Sequence, residues 1–474
     1  MAVIILLGEN FTCISQGGIV LNLIHEQARD IPVLAETDLL VTGGGPAGLA
    51  AAIAASREGV NVLLMERYGC FGGVISQVGV EGFAWYRHEK TIEAGGLVPE
   101  FEQKCAEIAG SNPECQSLSQ ALDAEMFKYV ADVMIEEAKV RPLLHSAAVQ
   151  AIVEDGIIKG VIAEGKSGRF AVLAKRVIDT TGDADIAAFA GAPYTKAPKD
   201  KLMSVTTLFH CKGVDTRRFR DYIKNELKPT YRDWGGYWSI KTSGKEDDLF
   251  SPYFERPFVE AVQNGLVPKE ANVSLGGSWS SITDEGEVTQ LNVVFIGNVD
   301  CTDIEDLTRA EIQGRRNALY CVEVLRKKVP GFEKAKLRNF GMTLGARESR
   351  KIEGRSFLTA EDVMGEARFD DAIAIFPEFI DGAGYLIKPT TGRYYQIPFG
   401  CIVPQKIDNL LVAGRSISGD QIAHVSFRNM ACCVATGQGA GVAAAVSLKE
   451  GTPSSMVDIR KVQQALKRQN VRYY

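Results

Sequence analysis

DLLVTGGGPAGLAAAIAASREGVNVLLME, residues 38–66, decides the fold. Asp38 to Thr42 is a short apolar run that feeds straight into Gly43-Gly44-Gly45-Pro46-Ala47-Gly48. An alanine-rich helical segment follows from Leu49 to Glu58, Gly59 is placed to end it, and Val60 to Met65 is a second strand closing on Glu66. Strand, helix and strand within about 30 residues is the span of a dinucleotide-binding βαβ unit. Gly43 permits the tight turn, Gly45 lets the backbone approach a pyrophosphate, and Gly48 lets the helix pack closely on the sheet, with Ala52 one turn on keeping that contact thin. The helix start offers free N–H groups and the positive end of its dipole to phosphate. Glu66 stands where a carboxylate accepts hydrogen bonds from ribose hydroxyls. Its charge would repel a 2′-phosphate, which disfavours NADP in this place.

Around this unit the composition is that of a soluble globular chain. At roughly 100 to 200 residues per domain, 474 residues predict about two to four domains. Hydrophobic residues make up 46% and charged residues 24%, and the mean hydropathy of −0.03 fits no membrane protein. Lys plus Arg number 53 against 59 Asp plus Glu, a net charge of −6, so no global field draws the chain to nucleic acid. The ten cysteines contain no CxxC pair and read as buried thiols in a reducing compartment. The five histidines show no metal-binding spacing, so no metal is expected. The opening MAVIILLGENF has no basic residue before its apolar run and Glu9 directly after it, which argues against a secretory signal. No stretch reaches the roughly 18 apolar residues of a spanning helix, so a cytoplasmic protein without a membrane partner is expected. Residues 1–32 read as an added hairpin, with short strands at Ile4 to Leu7 and Ile19 to Ile24.

Further elements follow in order. Arg67-Tyr68-Gly69-Cys70-Phe71-Gly72-Gly73 places a Gly-Gly pair soon after the acidic residue. Three β-like runs, Ala147 to Glu154, Ile157 to Glu164 and Arg169 to Leu173, are broken by Asp155-Gly156 and Ser167-Gly168 and read as a meander. Next stands Val177-Ile178-Asp179-Thr180-Thr181-Gly182-Asp183, and near the C-terminus Asn409-Leu410-Leu411-Val412-Ala413-Gly414-Arg415 supplies a similar strand, followed by a small-residue helix through Gly437, Gly441 and Ala443 to Ala445.

With these elements, VIDTTGDADIAAFAGAPY (177–194), DLTRAEIQGRR (306–316), LGARESRKIEG (344–354) and NLLVAGRSISGDQIAHVSFRNM (409–430) make the chain resemble the FAD-dependent oxidoreductase family related to fumarate reductase and succinate dehydrogenase flavoproteins, and more distantly glutathione reductase. The resemblance runs from about Val33 to Gly451. It implies an α/β fold in which a Rossmann-like FAD-binding domain of glutathione-reductase type carries an inserted α+β substrate domain. The expected division is an extension over 1–32, the first part of the FAD domain over 33–193, the substrate domain over 194–397, and the rest of the FAD domain over 398–474. The implied cofactor is FAD, met by Gly43, Gly45, Pro46, Ala47, Gly48, Glu66, Arg67, Gly72, Gly73, Val149, Thr181, Gly182, Gly414, Arg428 and Asn429.

Departures narrow the chemistry. Redox-disulfide flavoproteins place two cysteines after the Gly-Gly pair, where this chain has Val74-Ile75-Ser76-Gln77. No second GxGxxG follows a predicted strand, so a dedicated NAD(P)H domain is not expected. Aromatic hydroxylases carry an Asp-Gly motif near the meander's end, where Thr181-Gly182-Asp183 stands, and this makes oxygen insertion the second choice. Arg415 occupies the position of the usual ribityl carboxylate.

The expected reaction is hydride transfer between flavin and a small organic substrate, with an electron acceptor that the sequence does not name and a homodimer as the commonest assembly. A flavin monooxygenase and a non-catalytic escort protein on the same fold are the alternatives. The candidate catalytic residues are His424, Arg428 and Arg347. Arg428 would supply positive potential to reduced flavin, and His424 is either a proton carrier or a satisfied turn histidine. Arg347 and Arg350 either clamp an anionic group or form interdomain ion pairs. Trp85, Tyr86, Tyr394 and Tyr395 either stack on a ring or pack the core, and Cys432 and Cys433 read as packing. The helix opened by a capping box at Thr302-Asp303-Ile304-Glu305 reads as scaffold.

Overall fold

The computed structural model describes the chain except residues 1–2, 8–9, 15–19, 23, 85, 87–91, 111–120, 234–238, 242–247, 269–275 and 388–391. Trp85 and Cys115 therefore lie outside the described residues.

Strand β1 (Val33–Thr42) alternates its side chains between the two faces of a sheet: Leu39 and Val41 join one apolar cluster and Leu40 another, all fully buried. Helix α1 (Pro46–Arg57) crosses to β2 (Val62–Met65), which runs parallel to β1 in the register Leu39↔Val62 to Thr42↔Met65. β3 (Arg141–Leu143) extends the parallel set on the far side of β2. β4 (Ser146–Glu154), β5 (Ile157–Gly165) and β6 (Gly168–Asp179) form the meander. The runs expected at Arg169–Leu173 and from Val177 are a single strand. Its first half pairs antiparallel with β5, while one edge continues parallel to β1 as far as Thr42↔Asp179. Lys175-Arg176 breaks the apolar pattern without breaking the strand, because the Arg176 side chain is led inward and donates to Ser447 Oγ at 3.0 Å and the Thr452 carbonyl at 2.6 Å. Where β5 leaves the edge, β7 (Leu410–Val412) pairs parallel from Val177↔Leu410 and completes a seven-stranded sheet.

Beyond the sheet, residues 194–397 distribute most of their apolar side chains between two clusters. One lies between Val205 and Leu344 and includes Phe209, Phe219, Phe254, Trp279 and Phe332. It holds a three-stranded antiparallel sheet, with Phe209–Lys212 between Glu287–Leu291 and Lys336–Phe340, against α2 (Ile304–Lys328). Asp303 caps α2, its carboxylate accepting from the amides of Glu305 and Asp306; the expected Thr302 cap is displaced because Thr302 is bonded to Asp300. The strand pair Ala372–Pro377 and Tyr394–Pro398 belongs instead to the cluster that holds Leu39, Val41 and helix α1. Tyr86 and Tyr395 are both fully buried there, the latter donating to Ser426 Oγ at 2.9 Å, so both pack core.

Helix α3 (Gln421–Phe427) leads into α4 (Met430–Glu450). A Cβ added at Gly437 or Gly441 would stand 2.1 Å from the Ala47 carbonyl or 2.2 Å from that of Ala51, so the small-residue spacing lets α4 lie directly on α1. By length and composition α4 could cross a membrane, contrary to the sequence expectation, but 94% of its apolar window is buried inside the protein. A helix apolar on every side is what a core position demands. The eight cysteines with described side chains are unpaired thiols, seven of them buried. At the N-terminus, Val3–Leu7, Asn10–Ile14 and Val20–Asn22 form a separate three-stranded antiparallel sheet in place of the expected two-stranded hairpin.

Candidate active site

The carboxyl ends of β1, β2, β6 and β7 open on one cavity of about 640 Å³, the position where parallel α/β sheets place ligands. Its floor is the glycine bend. Gly43 has φ +99°, and a Cβ there would stand 2.5 Å from the Thr180 carbonyl oxygen. The Thr180 hydroxyl shares its one proton between the carbonyls of Thr42 at 2.8 Å and Gly43 at 2.7 Å, tying the bend to the end of β6. At Gly48 a Cβ would come within 1.8 Å of the Gly43 carbonyl oxygen. Gly45 differs. Its φ of −74° suits any residue, and the protein atom nearest an added Cβ is 3.8 Å away at Gly73 Cα. Space left open on the cavity wall at a helix N-terminus is the fit expected for a pyrophosphate held against backbone.

The second glycine pair supports the first. The Gly72 amide donates to the Gly44 carbonyl at 2.8 Å, and Gly73, at φ +52°, has no room for a side chain, since a Cβ there would stand 2.6 Å from Gly45 Cα. Gly73 lines the cavity; Gly72 stands behind it. The buried Glu66 carboxylate accepts from the amides of Gly44 at 2.7 Å and Tyr68 at 2.9 Å, yet it still lines the cavity and keeps lone pairs for ribose hydroxyls. Pro46, Ala47 and Arg67 also line it, Arg67 as an exposed rim residue. Val149 does not. The lining here is Ser146, Ala147 and Ala148, and the β4–β5 register slips between Ala148 and Gln150, leaving Val149 at the irregularity.

At the ends of β6 and β7, Thr181, Gly182 and Gly414 line the cavity, with φ +83° at Gly182 and +87° at Gly414. The buried Asp179 carboxylate accepts from Thr181 and the Ala187 amide, and burial pushes its pKa up to about 6. The sequence reading missed a charge pair beside them. Arg415 Nη2 meets Asp183 Oδ1 at 2.7 Å, and Ser349 donates to the same oxygen at 2.6 Å. The missing carboxylate after the last strand is thus supplied across the sheet by Asp183. The available signal was register: parallel β6 and β7 carry 183 and 415 past their ends side by side. Arg350 pairs with Asp185 at 2.8 Å and lies off the lining, which makes it an ion pair in the scaffold.

The opposite wall carries Arg347, Asp381, Arg428 and Asn429. Arg428 closes α3 and donates to Asp381 Oδ1 at 2.6 Å. Asn429 is the N-cap of α4, so the free N–H end of that helix faces the cavity. Glu311, also missed in the sequence, lines the cavity while accepting from Thr343 Oγ1 and the Leu344 amide, both at 2.8 Å. His424 is a correction: it is fully buried and off the lining, with its Nε2 spent on the Arg347 carbonyl at 3.0 Å and its ring against Phe427. Burial first, then the nearby Lys351 and Arg428 charges, holds its pKa well below the ordinary histidine value. A neutral ring that does not reach the cavity cannot serve as its proton carrier.

The profile of the family described as FAD dependent oxidoreductase matches residues 38–466. The chain belongs to that family. Digeranylgeranylglycerophospholipid reductase 2 of Methanopyrus kandleri is 28% identical to it over 221 residues, 44% of this chain and 52% of that protein. Thiamine thiazole synthase of Saccharolobus islandicus is 27% identical over 182 residues, 35% and 63% of the two chains. The chain thus spans about half the length of the first of these curated relatives. A solved structure of a geranylgeranyl bacteriochlorophyll reductase-like protein of Thermoplasma acidophilum covers 93% of this chain and 85% of its own, at 14% identity and a TM-score of 0.46. This chain is a flavoprotein oxidoreductase with FAD as its cofactor, and the glycine bend, Glu66 and the strand-end turns fit that group.

Proposed function

We propose that this enzyme catalyses flavin-dependent hydride transfer to or from a small organic substrate. The observation that carries the reading is the continuity of one cavity, from the glycine bend and Glu66 through the strand-end turns to a wall of Thr206, Leu208, Trp279 and Asn292. Bound FAD supplies the two-electron acceptor or donor. The chain's own residues do the rest. The amides at the start of α1 and the open side of Gly45 would hold the diphosphate, and Glu66 would accept from ribose hydroxyls. Arg415 and Asp183 neutralise each other beside the strand-end turns. Leu208 and Trp279 give the wall beside Thr206 an apolar surface. The proposal also carries the kinship with fumarate reductase and succinate dehydrogenase flavoproteins, and an inserted substrate domain over 194–397, for which the separate apolar cluster between Val205 and Leu344 is the support.

The test is anaerobic: FAD-loaded protein is mixed with candidate substrates in both redox directions while the flavin's visible band is followed. Bleaching or recovery without oxygen is expected. A product that carries an atom of labelled O₂ would assign the chain to the monooxygenases instead, and a protein unable to take up FAD would fit the escort reading.

A further inference from the structure

Resting on the flavin-enzyme reading, a charge balance of the cavity wall names the substrate class. Three guanidinium groups reach the enclosed part of the lining. Arg415 is paired with Asp183 at 2.7 Å and Arg428 with Asp381 at 2.6 Å. Arg347 has no carboxylate within ion-pair distance among the described residues, because Asp381, the acid that acts on it, is already held by Arg428. Its guanidinium donates to the Ser204 carbonyl at 2.8 Å and makes a long contact of 3.5 Å to Asn292 Oδ1, and its Cζ lies 4.9 Å from the centre of the Phe295 ring. Two neutral oxygens leave most of its N–H donors unused. Burial, then the neighbouring Arg428 charge, brings its pKa down to about 10, so it stays cationic at neutral pH without a counter-ion of its own. Enclosed charges are stable when paired, and the empty side of this one faces the cavity. Asn292 adds a second donor: its Oδ1 faces both the Arg347 guanidinium and, at 2.7 Å, Thr206 Oγ1, whose one proton is shared with the Val294 carbonyl at 2.9 Å, which leaves the amide Nδ2 as the free end of a residue on the same wall.

We infer that Arg347 and Asn292 form an anion subsite, and that the substrate of this enzyme is a small organic oxyanion whose charged group docks there while its reacting carbon lies toward the flavin. Arg350, the other arginine of the 347–350 pair, is excluded from this role by its bond to Asp185.

The test is a titration of the FAD-loaded protein with benzoate, succinate, inorganic phosphate and the neutral control benzamide, read as perturbation of the flavin's visible spectrum. At least one anion is expected to perturb it saturably while benzamide does not. A response to a carboxylate or to phosphate identifies which oxyanion the site takes. Arg347→Met should weaken that anion by about ten-fold or more, with Arg347→Lys restoring part of the loss. Asn292→Asp leaves Arg347 in place but supplies it with an internal carboxylate, and should abolish the response. The inference is overturned if benzamide binds as well as benzoate, if no anion perturbs the spectrum, or if Arg347→Met or Asn292→Asp binds the anion as the wild type does. A protein that takes up no FAD would defeat the flavin reading itself, a separate result.

Discussion

The two sides of the cavity are built on different principles. The floor, from Gly43 to Gly48, offers backbone: amides at a helix start, a carbonyl tied down by Thr180, and an open face at Gly45. The opposite wall offers side chains brought from Asn292, Arg347, Asp381 and Arg428, each held by a partner remote in sequence. The backbone floor is set by shape, with no room for a side chain at Gly43 or Gly48, whereas the opposite wall is set by its ion pairs and hydrogen bonds. The difference separates cofactor holding from substrate choice, and substitutions can test it.

The largest effect is expected at Gly48→Val. The new Cβ would collide with the Gly43 carbonyl, which is backbone and cannot turn aside, so stability should fall by about 3 kcal/mol, measured by denaturant unfolding. Wild-type stability there would show that the floor is softer than described. Asp183→Ala comes next. It strands Arg415 beside the cavity and should cost about 2 kcal/mol, given that the pair keeps slight exposure; Asp183→Ala with Arg415→Met together should lose less than the sum of the two, and additivity would deny the pairing.

A third contact is buried behind the lining. Glu81 follows the cavity-lining Val80, and its Oε1 stands 3.9 Å from Nδ1 of His210 on the Phe209–Lys212 strand. Burial raises the Glu81 pKa to about 8 and lowers that of His210 to about 4. A carboxyl with a raised folded-state pKa gives stability that is complete below its ordinary 4.5 and declines as pH rises toward about 8. Below about 6.5 the His210 proton acts in the opposite direction, so thermal midpoints should fall between about pH 6.5 and 8, and Glu81→Gln should remove most of that fall; an unchanged slope would deny a buried, protonated Glu81. The depressed histidine gives the opposite edge, with stability lost as pH drops from 6.5 toward about 4. The smallest effect is expected at His424→Gln. An amide can keep the bond to the Arg347 carbonyl, so the pH profile of turnover should stay in place, and the loss of one limb of that profile would return His424 to proton transfer.

The same contrast decides what was legible in the sequence. The floor is written in eleven consecutive residues, Asp38 to Gly48, because tight turns and helix contacts at close range admit only glycine or alanine. The strand ends at Thr181-Gly182 and Gly414 could be read for the same reason. Val149 could not be placed, because a slip in register between two strands leaves no mark in an alternating pattern. His424 looked like a catalytic group because its residue type is visible and its burial is not. Asp183, Glu311 and Asp381 were missed because each acts through a partner that only the folded chain brings near. The single long strand β6 was read as two because Lys175-Arg176 looks like a polar break, whereas Arg176 is satisfied by Ser447 and Thr452 and Lys175 by Asp38.

The most direct measurement is FAD affinity set beside stability in Gly45→Ala. The added methyl meets no protein atom closer than 3.8 Å and the backbone suits alanine, so the thermal midpoint without cofactor should match the wild type. FAD should bind more weakly by about ten-fold or more, because the methyl fills space that belongs to the diphosphate. Unchanged FAD affinity in a stable Gly45→Ala protein would contradict the placing of the cofactor against the bend.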